Sequence, residues 1–360
     1  MKIAKVTASE SEARLLHAAL ADFSAEGARE IYASWLETQG DRERASALRA
    51  TVQAYHTLDA SSLEGLHVDQ EWQRMIAVPL LKTLSAARRE HSIESLCGLR
   101  DLAFPRIRAA LSMTLEPADA DTLGQSRMWG LPDIPEGETW PKVGEVSDWF
   151  GAKSELPQDL HCAFLAQVNF DEMRGTVLGG ELPLSCGFAV FSITEVEKLG
   201  IRETLIRPWS TSRPLRRTDA PEDLLRDPLG DSTNKPQAAH SIVLTEDLSL
   251  PDASWGPFAE AIPGCGFGEE FHAVYRQLSS ACQKDSGYDG AGRSWSNKYG
   301  FGGYLKATSG ADPSPDMHAV RFAVLPADPD AGTVHFAISE ADLRDGVVTR
   351  AQYVWSDWDG

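Results

Sequence analysis

Cysteine is scarce and poorly spaced for chemistry: 360 residues carry five, Cys97, Cys162, Cys186, Cys265 and Cys282, an odd number without a Cys-x-x-C pair. That excludes a disulfide framework and the close ligand spacing of zinc sites, so reduced thiols and no metal are expected. Long apolar runs are missing too. No stretch approaches the ~18 residues that cross a bilayer, and Met1-Lys2-Ile3-Ala4-Lys5-Val6-Thr7 has no apolar segment of signal-peptide length, so the expected compartment is the cytoplasm.

Basic charge is in short supply. Lys and Arg number 34 against 53 Asp and Glu, a net charge of −19. The deficit is uneven: residues 1–115 hold 15 acidic and 14 basic side chains, residues 116–360 hold 38 and 20. A field of that sign repels phosphate backbones and anionic lipid, which argues against nucleic acid and membrane as partners and favours either plain solubility or a basic protein partner.

Signatures of catalysis are also wanting. Gly-x-Ser-x-Gly is absent, and His240, His318 and His335 lie far apart without His-x-x-x-His or Glu-x-x-His spacing. Cys265 sits in Pro263-Gly264-Cys265-Gly266-Phe267-Gly268 followed by Glu269, Glu270 and His272; acidic neighbours disfavour a thiolate, and the glycines lack the Gly-Lys-Ser/Thr of a phosphate loop. His161 and Cys162 point to opposite faces of any strand, so they do not join Cys186 in one metal site. Paired acids (Asp171/Glu172, Glu222/Asp223, Glu246/Asp247, Glu269/Glu270) are expected as solvated surface, since adjacent residues on a strand seldom face one another. No cofactor, metal or catalytic residue is expected from these patterns.

What is present divides the chain in two. Proline does not occur before Pro79, and from Ser9 to about Leu111 apolar residues recur at helical spacing. Ser9 and Glu12 form a capping-box start before the stripe Leu15, Leu16, Ala19, Leu20 and Phe23. A second helix is predicted from about Ala28 to Thr38, stopping at Gly40, and a third begins at Asp41 with Ala45, Leu48, Val52 and Tyr55 on its face. Further helical stretches are predicted from Asp69 to Glu90 with a start or kink at Pro79, from Ser92 to Leu102 and from Pro105 to Leu111. Residues 1–115 therefore read as an all-helical unit in which Tyr32 and Trp35 are core anchors rather than a ligand platform.

After Glu116 proline and glycine become frequent and short strand patterns appear. His161–Phe170 places Cys162, Phe164, Ala166 and Val168 on one face at strand period; Gly187–Ile193, Ala319–Leu325, Thr333–Ile338 and Ala351–Trp355 are further strands, with a turn or short helix at Asp342-Leu343. Thr211–Lys235, poor in apolar residues, reads as an exposed or mobile insertion. Ser126–Pro141 holds three prolines, two glycines and two tryptophans in sixteen residues, which forbids a helix or central strand and implies a rigid extended loop anchored by Trp129 and Trp140.

Two resemblances follow from particular residues. Leu15–Asp22, Arg29–Glu37 (with Tyr32-Ala33-Ser34-Trp35-Leu36) and Gly40–Ala45 resemble the bacterial repeat-companion domain, a module without assigned chemistry. The Ser126–Pro141 loop, Phe164-Leu165-Ala166-Gln167-Val168-Asn169-Phe170, Leu182-Pro183 to Phe191, Phe301-Gly302-Gly303-Tyr304 and Gly332–Leu343 together resemble the YwqG-like bacterial family of unknown function. Departures mark a divergent member: Met128-Trp129-Gly130 stands where a Gly-Gly pair is usual, and Leu305 where a proline is. The resemblance implies an α+β fold: a helical unit (1–115), then a YwqG-like domain (116–360) on a mixed, mainly antiparallel sheet with the Trp129–Trp140 loop laid across it.

Two functions stand against each other. One is a non-enzymatic acidic interaction module, of the immunity type that the family resemblance suggests, which binds and neutralises a basic effector. The candidate binding residues are Trp129, Asp133, Trp140, Glu222, Asp223, Asp357, Trp358 and Asp359. In the tail, Trp355 and Trp358 either pack on the sheet edge or serve a partner. The other is a small-ligand binder or enzyme with a pocket beneath the loop, roofed by Trp129, Trp140 and Trp149.

Overall fold

The computed structural model describes residues 2–4, 7–21, 23, 26–118, 122–146, 157–180, 182, 186–195, 200–210, 212–222, 238–251, 269–282, 300–303, 319–326 and 333–357. A short strand β1 (Lys2–Ala4) precedes six helices, α1 (Glu10–Ala21), α2 (Glu26–Thr38), α3 (Arg42–Thr57), α4 (Gln70–Met75), α5 (Val78–Ala87) and α6 (Ile93–Ala103). Their starts follow the side chains that satisfy the first free N–H groups. Ser9 Oγ accepts the Glu12 N–H at 3.1 Å while the Glu12 carboxylate takes the Ala8 N–H at 2.6 Å. Asp41, Asp69 and Ser92 cap α3, α4 and α6. The helix predicted over 69–90 is two helices, because Ala77 turns left-handed (φ 65°) just before Pro79 opens α5.

The strands are β2 (Arg108–Pro117), β3 (Arg127–Met128), β4 (Asp133–Pro135), β5 (Ala163–Asn169), β6 (Cys186–Glu195), β7 (Gly200–Ser210), β8 (Leu215–Arg217), β9 (His240–Ser249), then helix α7 (Glu269–Ala281), β10 (Gly300–Gly302), β11 (Ala319–Pro326), β12 (Thr333–Ser339), helix α8 (Glu340–Arg344) and β13 (Gln352–Asp357). The protein is α+β: helices at the N-terminal end, then a large sheet in the order β13-β12-β11-β10-β2-β9-β3-β5-β6-β7, antiparallel throughout except for β1, which pairs parallel with β9 at residues 243–245. The sheet curls until its edge strands β7 and β13 lie beside each other. A separate two-stranded ribbon joins β4 to β8.

Residues 105–111 correct the helical expectation. After one 3-10 turn at Phe104–Arg106 the chain enters β2, which runs between β9 and β10 and pairs with β9 along its whole length. The Ala109-Ala110-Leu111 run locally favours helix, and pairing with two neighbouring strands overrides that preference.

Among the described residues, three apolar clusters hold the fold. The first fills the helical layer but includes Ile107, Ala109, Leu248, Leu250, Val274, Tyr275 and Leu278, so the wall that closes the helices is made by the sheet and by α7. The second, on one face of the curled sheet, includes Met113, Phe170, Phe188, Phe301 and Phe336, with Leu343 and Val348 brought in by the turn before β13. The third lies on the opposite face of β5 and β6 beneath residues 131–146.

A bulge separates the last two. The β5–β6 register shifts between Phe164 and Ala166, so Cys162 and Phe164 join the third cluster while Ala166 and Val168 join the second. The single-face alternation expected for these four residues fails at Leu165, the inserted residue, whose carbonyl accepts the Trp129 N–H at 2.8 Å. Thr211–Lys235 is likewise not all insertion: Leu215–Arg217 forms β8, whereas 211 and 223–235 lie outside the described residues.

Candidate functional site

Residues 122–146 cross the outer face of β5 and β6 as a strap. Its prolines and glycines prevent it from entering the sheet beyond β3, and its apolar residues Ile134, Trp140, Val143 and Val146 are buried on Cys162, Phe164, Ala189 and Phe191. The Trp140 indole N–H donates to the Cys162 carbonyl at 2.7 Å, and its ring meets Phe191 edge-on at 5.9 Å. Backbone bonds from Val143 N to Leu160 O and from Cys162 N to Pro141 O tie the strap to the segment before β5.

At the inner end Asp133 is 1% exposed and fully engaged. Its Oδ2 accepts from Arg127 at 2.6 Å, from the Gln167 amide at 2.9 Å and from the Gly124 N–H at 2.8 Å. Its Oδ1 accepts from Arg217 Nε at 2.8 Å, and its own N–H donates to Gln167 Oε1 at 2.8 Å. Burial pushes the Arg127 guanidinium below its ordinary value, with Asp133 pulling the other way. Three segments of the chain, 124–127, β5 and β8, converge on this one carboxylate.

Three arginines of the β7–β8 arm repeat a single pattern, each donating to one carboxylate and one backbone carbonyl of the strap. Arg217 takes Asp133 and the Thr122 carbonyl (3.1 Å); Arg213 takes Glu138 (2.5 Å) and the Glu136 carbonyl (3.3 Å); Arg207 takes Glu145 (2.6 Å) and the Thr139 carbonyl (2.6 Å). The β4–β8 pairing adds main-chain bonds, extended by Glu136 N to Pro214 O and Thr218 N to Pro132 O. All the cations in these pairs come from the arm and all the anions from the strap.

Trp129 is a strained position. It holds φ 53°, is buried, meets His240 edge-on at 5.3 Å, and its indole N–H finds no acceptor among the described residues. Such a conformation is rare for a bulky residue.

The candidate binding residues thus separate. Trp129, Asp133 and Trp140 are all buried in the strap but do not meet, since Trp129 packs into the second cluster and Trp140 into the third; Glu222 is exposed; Asp357 lies in β13; Asp223, Trp358 and Asp359, like Trp149, lie outside the described residues. The residues that complete the strap network, Arg127, Gln167, Arg207, Arg213 and Arg217, were not among them. Their signal is present in the sequence as Gln167 within Phe164–Phe170 and as the arginine-rich stretch Arg213–Arg217.

Glu246 and Asp247 correct the solvated expectation for paired acids. Both are buried, 1% and 2% exposed, on central strand β9. Glu246 accepts the Val177 N–H at 2.5 Å; Asp247 accepts the Ser112 hydroxyl at 2.8 Å and pairs with Arg74 Nε at 3.3 Å, across to the helical layer. Adjacent strand residues do face opposite ways, but here both faces are covered.

Other chemistry is muted. Burial pushes the Cys162 thiol up to about 12, with Glu145 adding to the rise, and pushes Cys186 up as well. Cys265 lies outside the described residues, and no cluster of three or more metal-ligating side chains occurs among the described ones. Among them, no helix is long and apolar enough to cross a membrane. Compared with known proteins, the chain matches no protein-family model and no curated protein.

Proposed function

We propose that this chain is a divergent YwqG-like protein that acts by binding rather than catalysis, its acidic region capturing a basic protein, in an immunity-type role that neutralises a basic effector. The observation that carries this reading is the surplus of 18 carboxylates over basic side chains in residues 116–360. Burial accounts for few of them: among the described residues of that region only Asp133, Glu246 and Asp247 are buried, Glu138 and Glu145 are held in the strap's ion pairs, and Glu136, Asp159, Asp219, Glu222 and Asp345 are exposed. A cytoplasmic location accords with the reduced-thiol composition. The small-ligand alternative draws no support from Trp129 and Trp140, whose rings pack into apolar clusters.

The test is association kinetics of the full chain with a panel of basic proteins across a salt series, beside the quadruple variant E136Q/D159N/D219N/E222Q. Opposite-charge steering is screened over ~8 Å at physiological ionic strength, so the on-rate falls steeply with salt and falls again in the variant. Association that ignores both salt and the four substitutions overturns the reading.

A further inference from the structure

We infer that residues 136–146 form a salt-responsive flap, hinged at the Asp133 node and opening as a unit separate from global unfolding. The strap's grip is graded along its length. At the inner end Asp133 is buried with Arg127, Gln167 and the Gly124 N–H around it, and β4 pairs with β8, so this end stays anchored. Further out the ionic ties are Arg213–Glu138 and Arg207–Glu145, whose side chains are 20–47% exposed. Ion pairs at such exposure are weak and are weakened further by salt.

The packing beneath is separable in the same way. Trp140, Val143 and Val146 belong to the third cluster, which shares no residue with the two main cores. Lifting the flap breaks the two outer ion pairs, the arginine bonds to the Glu136 and Thr139 carbonyls, the Trp140–Cys162 bond and the backbone bonds to 158–162 and Pro214, yet leaves the large sheet and the helical layer intact. Local openings of this kind occur where a segment's apolar contacts are separate from the main cores and its polar ties are exposed; for the flap the apolar contacts in the third cluster are those of Trp140, Val143 and Val146. The polarity of the contact gives the flap its control: Arg207 and Arg213 on one side and Glu145 and Glu138 on the other respond together to ionic strength, while the buried Asp133 pairs hold.

The chain carries its own reporters. Cys162 is fully buried beneath the strap, and Cys282 is fully buried in the helical core. Alkylation of the intact protein, read cysteine by cysteine by peptide mass mapping and normalised to each thiol's rate in denaturant, times the two openings separately. Cys162 is modified at least about tenfold faster than Cys282, and its rate alone rises with salt. The double variant E138Q/E145Q raises the Cys162 rate about threefold to tenfold and leaves Cys282 unchanged, which also shows that the variant folds. Equal rates for the two thiols would place the strap within the global unfolding unit and overturn the proposal. A fast Cys162 indifferent to salt and to both substitutions would overturn the ionic control.

Discussion

Asp133 shows how much one side chain decides. A carboxylate out of water costs several kcal/mol unless its lone pairs are met, and here two guanidinium groups, an amide and a backbone N–H meet them. Removing the charge leaves Arg127, itself 6% exposed, without its anion. Asp133→Asn is therefore expected to lower unfolding stability by about 3–5 kcal/mol in urea titration. Arg217→Gln, which leaves Asp133 with Arg127 and sits where water reaches, costs less, about 1.5–3 kcal/mol. Equal losses would show that the buried and rim partners count alike. The sequence singled out Asp133 but not its pairing: it sits in Leu131-Pro132-Asp133-Ile134, a context that reads as turn chemistry, and its partners are 6, 34 and 84 residues away. The same distance effect hid Glu246 and Asp247, whose covering groups Val177, Ser112 and Arg74 come from other parts of the chain.

Elements were legible wherever the determinant is local. The caps at Ser9, Asp41, Asp69 and Ser92 set helix starts within two or three positions, because the capping group and the N–H it satisfies are neighbours in sequence. Strands β5, β6, β11, β12 and β13 emerge from period-two patterning. What failed was non-local: β2 owes its extension to β9 and β10, and the bulge at Leu165 answers to the strap. Gly187 marks another close approach across elements. A β-carbon there would stand 2.4 Å from the Val168 carbonyl and 2.3 Å from the Trp209 ring, with nowhere to shift on the backbone side. Gly187→Ala is expected to cost about 1–3 kcal/mol by differential scanning calorimetry or urea midpoint. A neutral result would mean that β5, β6 and β7 slide apart more freely than their pairing indicates.

At the scale of the molecule, the change in composition near residue 116 suggested two units in series, whereas the packing is interleaved. β1 and β2, both from the N-terminal third, lie on either side of β9, and α7 returns from the C-terminal region to pack on α5. Arg74 reaches Asp247 across the same boundary. A fragment ending at residue 107 lacks Leu248, Leu250, Tyr275 and Leu278 from its apolar wall. Such a fragment is expected to keep far-ultraviolet helix signal, bind a hydrophobic dye and melt without a sharp transition. Cooperative unfolding of the isolated fragment would show that its helices close a core unaided. The composition change is real, but it tracks surface chemistry; a boundary in charge need not be a boundary in packing.

The same wall has a consequence during synthesis. At about 5–20 residues per second, roughly 7–28 s separate the emergence of α6 from that of β9, and α7 is later still. Throughout that interval the nascent helices carry an apolar flank that only the later segments cover, so chains halted before β9 are expected to be cut by a protease sooner than the finished protein.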